Sequence, residues 1–390
     1  MKRFHIGTPR RSSGVVLLGL VLLLVSACGP THLDPRWSSI MSMDGGDSVL
    51  LAFGDRLSLI DTDDGTPVEL VDAEGDVRLD DQGNPRVWEV INTTGGQTRF
   101  YAAPVILDEN TLLAASYDMR LLEVDFPVAR VDGASAALGQ NIVASPLVDG
   151  DFIYVGLSDR DLVALNADDM TEAWRVPTGH GVWAEPTIVE DTLYFTSMDH
   201  FLYAVDKTSG EEIWRTNLQG ASTARPVYED GYLYVGSFAK KVHKIDAESG
   251  EIVAEFPTSE WVWNAPALVD GTLYVGDLSG MVYAVNADDM TADWQTKAAT
   301  RAIAPTPLVT ENVVVVGSRD QNVYWLNRDS GEVVNQKAVA GEVLANLLLV
   351  EPSEQSDVQE SLVIVSTSAP QELLVAFTLE RGQRVWAYGR

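Results

Sequence analysis

Short apolar runs alternate with polar turns along most of this chain, and the alternation itself repeats. From Pro186 to Asp206 an apolar run, the acidic turn Glu190-Asp191, a second run, a polar turn and a third run follow one another, and Pro266 to Asn286 repeats the order. Pro104, Pro146, Pro186, Pro226, Pro266 and Pro307 head successive units at spacings of 42, 40, 40, 40 and 41 residues. Runs of this length bounded by turn residues predict strands, and no sustained 3.6-residue period predicts helix. Four short strands in each unit of this length are the pattern of a propeller blade. The paired middle strands fall at 48–60, 111–125, 152–165, 192–205, 232–245, 272–285, 312–326 and 361–376. The expectation is an all-β, eight-bladed β-propeller of four-stranded antiparallel blades, in one domain because a ring cannot be cut without baring blade faces.

Two blades carry insertions, near 66–85 and at 351–360, expected as solvated loops outside the sheet ladder. The turns after the third strands read Asp206-Lys-Thr-Ser-Gly210, Asp246-Ala-Glu-Ser-Gly250 and Asn327-Arg-Asp-Ser-Gly331: a capping side chain, then a glycine free to take positive φ. In two blades Met170 and Met290 stand where the glycine belongs, which predicts turns of a different shape. Trp174, Trp214 and Trp294 follow four residues later, with Phe256 as the replacement in a fifth blade. Their recurrence assigns them to packing between blades.

Lys2, Arg3, Arg10 and Arg11 precede an apolar stretch from Val15 to Val25 that ends in Ser-Ala-Cys28, the chain's single cysteine. Basic region, short apolar segment and small residues predict an export signal over 1–27, and the arrangement resembles a bacterial lipoprotein signal with Cys28 as the lipidated residue. Residues 28–36 then form a tether and 37–390 the propeller. Without the four basic residues of the signal, the mature chain holds 23 basic against 57 acidic side chains, a balance of −34. Such a chain repels nucleic acid and anionic head groups, so its attachment to a membrane must come from acyl chains. The location expected is extracytoplasmic, on a bacterial membrane, the outer one where the cell has two.

The texts Ala224-Arg-Pro226, Leu233-Tyr-Val-Gly-Ser237 and Asp206 to Trp214 resemble PQQ-type β-propeller repeats over about residues 48–390. That resemblance implies one of two functions. One branch comprises quinoprotein dehydrogenases, which hold pyrroloquinoline quinone and calcium; the other comprises non-catalytic propellers, including lipid-anchored scaffolds of outer-membrane β-barrel assembly. Many of the dehydrogenases stack the quinone on a vicinal disulfide, which one cysteine cannot form. The acidic loop Asp61-Thr-Asp-Asp-Gly65 has its glycine one place too early for an EF-hand. His180, His200 and His243 are scattered over different blades, so no metal cluster or nucleophile and base pair is assembled. The reading is therefore a scaffold without cofactor, catalytic residue or metal, whose partners are envelope or membrane proteins; the alternative is a PQQ-dependent dehydrogenase.

Aligned on the prolines, Ala103, Ser145, Glu185, Arg225, Ala265 and Thr306 occupy one position near the central channel, and Glu185 and Arg225 are expected to pair there as a mutual solution to burial. The last blade has its own fourth strand within 379–387, and 37–42 fits the innermost strand of the first. Closure is thus expected by face packing between them. Sorting turns by face puts Asp168, Asp169, Asp288 and Asp289 with many other carboxylates on one side of the disc. Arg120, Arg160, His200, Lys240, Lys241 and Arg319 go to the other, with Trp183 and Trp263 at one equivalent position and His180 and Trp261 nearby. Trp183 and Trp263 fit a binding hot spot and a packed core equally well. The candidate docking surface is His180, Trp183, Lys240, Lys241, Trp261 and Trp263.

Overall fold

A computed structural model describes residues 38–72, 74–92, 99–352 and 359–390. The signal, the tether with Cys28, Trp37 and the middle of the second insertion lie outside the described residues. The described strands form eight four-stranded antiparallel sheets, each made of four consecutive strands. These are the blades of an eight-bladed β-propeller, at 38–91, 105–134, 147–176, 187–217, 227–257, 267–297, 308–338 and 348–388.

Each blade is sandwiched between two others, so its middle strands are covered on both faces. In blade 4, Thr192–Thr196 and Phe201–Asp206 are buried almost throughout, while the outermost strand Glu212–Asn217 is largely exposed. This double burial makes the sequence read as continuous apolar runs rather than strict alternation. The buried apolar side chains fall into eight clusters, each shared by two adjacent blades. Each fully buried Leu, Val or Phe contributes roughly 1.5–3 kcal/mol, so the interfaces between blades carry the fold.

The recurring tryptophans belong to these interfaces and dictate the turns beside them. A Cβ on Gly210, Gly250 or Gly331 would lie 2.6, 2.7 or 2.4 Å from the indole of Trp174, Trp214 or Trp294 in the preceding blade. The glycine is needed for contact as well as for its φ of about +70°. Met170 and Met290 do not change the turn, contrary to the expectation from sequence. Their φ values are 53° and 56°, and their amides donate to Asn166 O and Asn286 O at 2.8 and 2.9 Å, as Gly210 donates to Asp206 O at 2.8 Å. The reason lies across the interface. By strand register the tryptophan position holds Gly133 in blade 2 and Ala254 in blade 5, and Met170 and Met290 are buried in the cores shared with those blades. Phe256 is therefore not the replacement for tryptophan. It pairs with Val242, two residues beyond the position held by Ala254, and packs on Tyr283.

The ring closes by the same device. Blade 8 contains all four of its strands, ending in Arg384–Tyr388, and packs face to face on blade 1, with Val49, Leu51 and Ile60 against Ile364, Leu374, Ala376 and Trp386. Trp386 Nε1 donates to Thr62 O at 2.7 Å, as Trp88 donates to Phe126 O, Trp214 to Ala247 O and Trp294 to Arg328 O.

The first insertion is not the unpaired loop expected from composition. Bridges join Glu69 to Val87, Val71 to Val77 and Leu79 to Pro85, and Leu70 is buried in the core between blades 1 and 2.

Candidate interaction face and channel mouth

In each blade the turn between the second and third strands emerges on the same face as the link from the preceding blade. On that face the residue two places before the first strand of blades 2 to 8 rims the central channel. Glu185 and Arg225 meet there, Oε1 to Nη1 at 2.9 Å, and Arg225 Nε donates to Thr187 Oγ1 at 3.2 Å. Burial pushes the Glu185 carboxyl above its ordinary range, against the pull of Arg225. The rim continues through Asn264, whose Nδ2 donates to Asn346 Oδ1 at 2.9 Å, while the Thr306 amide donates to the same oxygen at 2.9 Å. Together with Trp183, these residues line a cavity of about 690 Å³.

Blade 5 departs from its neighbours on this face. In blades 4, 6 and 7, Tyr203, Tyr283 and Tyr324 donate to Asp199, Asp277 and Asp320 at 2.7, 2.9 and 2.9 Å. The same carboxylates accept link amides from Gly179, Glu260 and Thr300, tying turn to link. In blade 5 His243 stands in place of the tyrosine and Ala239 in place of Asp199. The imidazole is fully buried, with Nε2 2.9 Å from Ser237 Oγ and Nδ1 3.0 Å from Glu255 Oε1, a contact poorly aligned for a hydrogen bond. Burial holds its pKa below the usual histidine value, although Glu255 pulls the other way.

With no aspartate tie, the blade 5 turn presents Phe238. Its ring stacks on Trp261 at 4.8 Å and 7° and on Trp263 at 5.4 Å and 23°. Met198 and Leu278 hold the matching turn positions in blades 4 and 6, since Met198, Phe238 and Leu278 all donate their amides to the adjacent link at Gly181, Ala221 and Trp261. The result is a half-buried apolar arc across blades 4 to 6. Phe238 was missed in the sequence because only the tryptophans stood out; comparing the residue after Ser197, Ser237 and Asp277 would have found it.

The structure brings Trp261 and Trp263 together but not the whole expected set. His180 and Trp183 lie in the link before blade 4, two blades away; His180 is exposed, and Trp183 donates to Ser158 O at 2.7 Å. The lysines do not form a free basic patch. Lys240 pairs with Glu260 at 2.8 Å and Lys241 with Glu255 at 2.7 Å, while Arg319 and Arg301 share Glu342 at 2.8 and 2.7 Å. These acids come from links and outer strands that the sorting of turns did not include. Aromatic surface, rather than charge, distinguishes this face.

The channel does not fit a quinone and calcium site. Glu185 is the acidic residue among those lining the cavity, and Arg225 engages it. Among the described residues no cluster of three His, Cys, Asp or Glu side chains has the geometry to hold a metal ion. With Cys28 alone, a vicinal disulfide is ruled out by covalent structure.

The family described as outer membrane protein assembly factor BamB matches residues 73–201 and 198–389. The chain belongs to this family. The structure of BamB from Moraxella catarrhalis superposes with a TM-score of 0.64 at 16% identity, covering 88% of this chain and 96% of that one. A computationally designed protein, Ika8, gives 0.67 at 13% identity with the same coverage. Quinohemoprotein alcohol dehydrogenase ADHIIG from Pseudomonas putida HK5 gives 0.63 at 13%, covering 85% of this chain and 71% of that one. At these identities the likenesses speak for the fold alone, shared by the BamB propeller, a designed protein and an enzyme. No curated protein sequence matches the chain.

Proposed function

We propose that this BamB-family chain is a non-catalytic scaffold of the bacterial envelope, anchored by lipid on Cys28 after removal of residues 1–27, that docks a partner in outer-membrane β-barrel assembly. Residues 28–36 serve as the tether and 37–390 as the propeller. The observation that carries the docking reading is the stack of Phe238, Trp261 and Trp263 in the one blade among blades 4 to 7 where the aspartate tie between turn and link is replaced. Aromatic side chains held rigidly on a face, with charges already paired around them, are the makings of an interface hot spot. The misfit of the channel to quinone and calcium weighs against the dehydrogenase reading.

Recovery of partners from native membranes tests it. Trp261→Ala with Trp263→Ala should cut recovery of a β-barrel assembly subunit by roughly 30-fold or more, about 2 kcal/mol, while reversal of Asp168, Asp169, Asp288 and Asp289 leaves it unchanged. The opposite pattern would move docking to the acidic face. Palmitate labelling that survives Cys28→Ser would refute the anchor.

A further inference from the structure

The outermost strand of blade 1 is interrupted by a built excursion. Pro67 and Val68 begin the strand against Ile60 and Leu59, the chain leaves at Leu70, and pairing resumes at Trp88. In blades 4 and 6 the same turn reaches its tryptophan four residues after the glycine or methionine. Here the detour is fixed by three backbone bonds running head to tail: Leu70 N–H to Arg86 O at 2.7 Å, Arg86 N–H to Arg78 O at 2.8 Å, and Arg78 N–H to Leu70 O at 2.8 Å. Its two tips are closed by Asp72 Oδ1, which accepts the amides of Glu74 and Asp76, and by Asp80 Oδ1, which accepts those of Gln82 and Asn84. Leu70 is 4% exposed and pins the knob to the core.

This rigid frame displays apolar groups to solvent. Val71, Val77, Leu79 and Val87 are 47, 40, 58 and 39% exposed, and Val71 and Val77 are cross-strand partners on one surface. Side chains held this way gain nothing for the fold, and clustered apolar exposure on an ordered element marks a contact surface. Around them stand Glu69, Asp72, Glu74, Asp76, Asp80 and Asp81 against Arg78 and Arg86.

We infer that the knob is a second docking site, for a partner protein whose apolar surface is rimmed by lysine and arginine. Charge selects among the occupants. An anionic lipid surface would be repelled by the carboxylates, and a second copy of this chain, at net charge −30, would bring like charge to like. The site is independent of the Phe238 stack. In a ring of eight, blade 1 stands opposite blade 5, so the two surfaces can hold two partners at once.

A photo-crosslinking residue at Leu79, in the full chain in its own envelope, tests the inference. The expected product is an adduct to another protein whose cross-linked peptide is apolar and rich in Lys or Arg, with yield falling about tenfold between about 0.05 and about 0.5 M salt as screening sets in. Val77→Asp should abolish that adduct, and thermal unfolding like that of the parent shows the loss to be local. A homodimer, a lipid adduct, an acidic partner peptide, or no protein adduct overturns the proposal. None of these outcomes depends on whether Trp261 and Trp263 bind anything.

Discussion

The interface between blades 4 and 5 and the one between blades 5 and 6 solve one packing problem in opposite ways. In the first, Trp214 covers Gly250; in the second, Ala254 leaves room shared by Met290 and by Lys244, whose Nζ donates to Ala287 O at 2.8 Å as the Trp214 indole donates to Ala247 O. Bulk is conserved across the gap while each blade's own sequence varies. The conserved object is the interface rather than the blade, which is why Met290 adopts a left-handed turn that glycine would occupy without strain.

The closing interface offers the largest break. Trp386→Ala removes a buried indole and its bond to Thr62 O, and should cost about 3–5 kcal/mol in chemical denaturation, with hydrogen exchange rising first in blades 1 and 8. Gly250→Met comes next. Its Cβ would already lie 2.7 Å from Trp214, so overpacking should cost about 1–3 kcal/mol or more. The comparison is sharpened by Ala254→Trp, which should destabilise comparably alone and recover when Met290→Gly is added, with a coupling of about 1–3 kcal/mol in the double-mutant cycle. Additive effects would show that the two positions do not share space.

Blade 5 supplies the smallest effect. His243 has its pKa depressed by burial, so the unfolded chain binds its proton more readily. Stability from this group is complete above about pH 6.5 and declines as pH falls below that value. Glu255 faces the same pocket, and against the effect of burial its bond from Lys241 holds its carboxyl below the ordinary range, so it stays ionised through that window. His243→Gln should flatten the slope of stability between about pH 6.5 and about pH 5; an unchanged slope would assign it elsewhere.

The fold was legible because a repeat averages out local ambiguity: eight copies of one strand pattern specify blades even where a copy is degraded. The Glu185 and Arg225 contact was legible for the same reason, since proline alignment gives register on the innermost strand. Aromatic character misled on the outermost strand. Its pairing slips by the same one residue beside Ala164, Ala204, Lys244 and Ala284, so the four-residue spacing after the turn holds in blade 5 and puts Ala254 at the tryptophan site; taking the next aromatic, Phe256, in its place hid the exchange of Trp214 and Gly250 for Ala254 and Met290. The acids that neutralise Lys240 and Lys241 arrive from other segments, which spacing along the chain does not reveal. The knob at blade 1 was read from its low apolar content as slack, yet backbone bonds and two aspartate-capped turns order it.

The bond from Trp386 to Thr62 spans 324 residues, nearly the whole propeller. Every other indole bond of this kind joins residues less than 40 apart and can form as soon as two neighbouring blades exist. The last step of folding therefore waits for blade 8. A chain that folds from its N-terminal side would assemble blades in order while Val49, Leu51 and Ile60 stood bare, an apolar sheet face open to aggregation until blade 8 arrives. Loss of the strand Arg384–Tyr388 would take Trp386 out of the closing interface and leave Ile364, Leu374 and Ala376 to hold it without the indole, and the molecule's vulnerability during biogenesis is concentrated at that single seam.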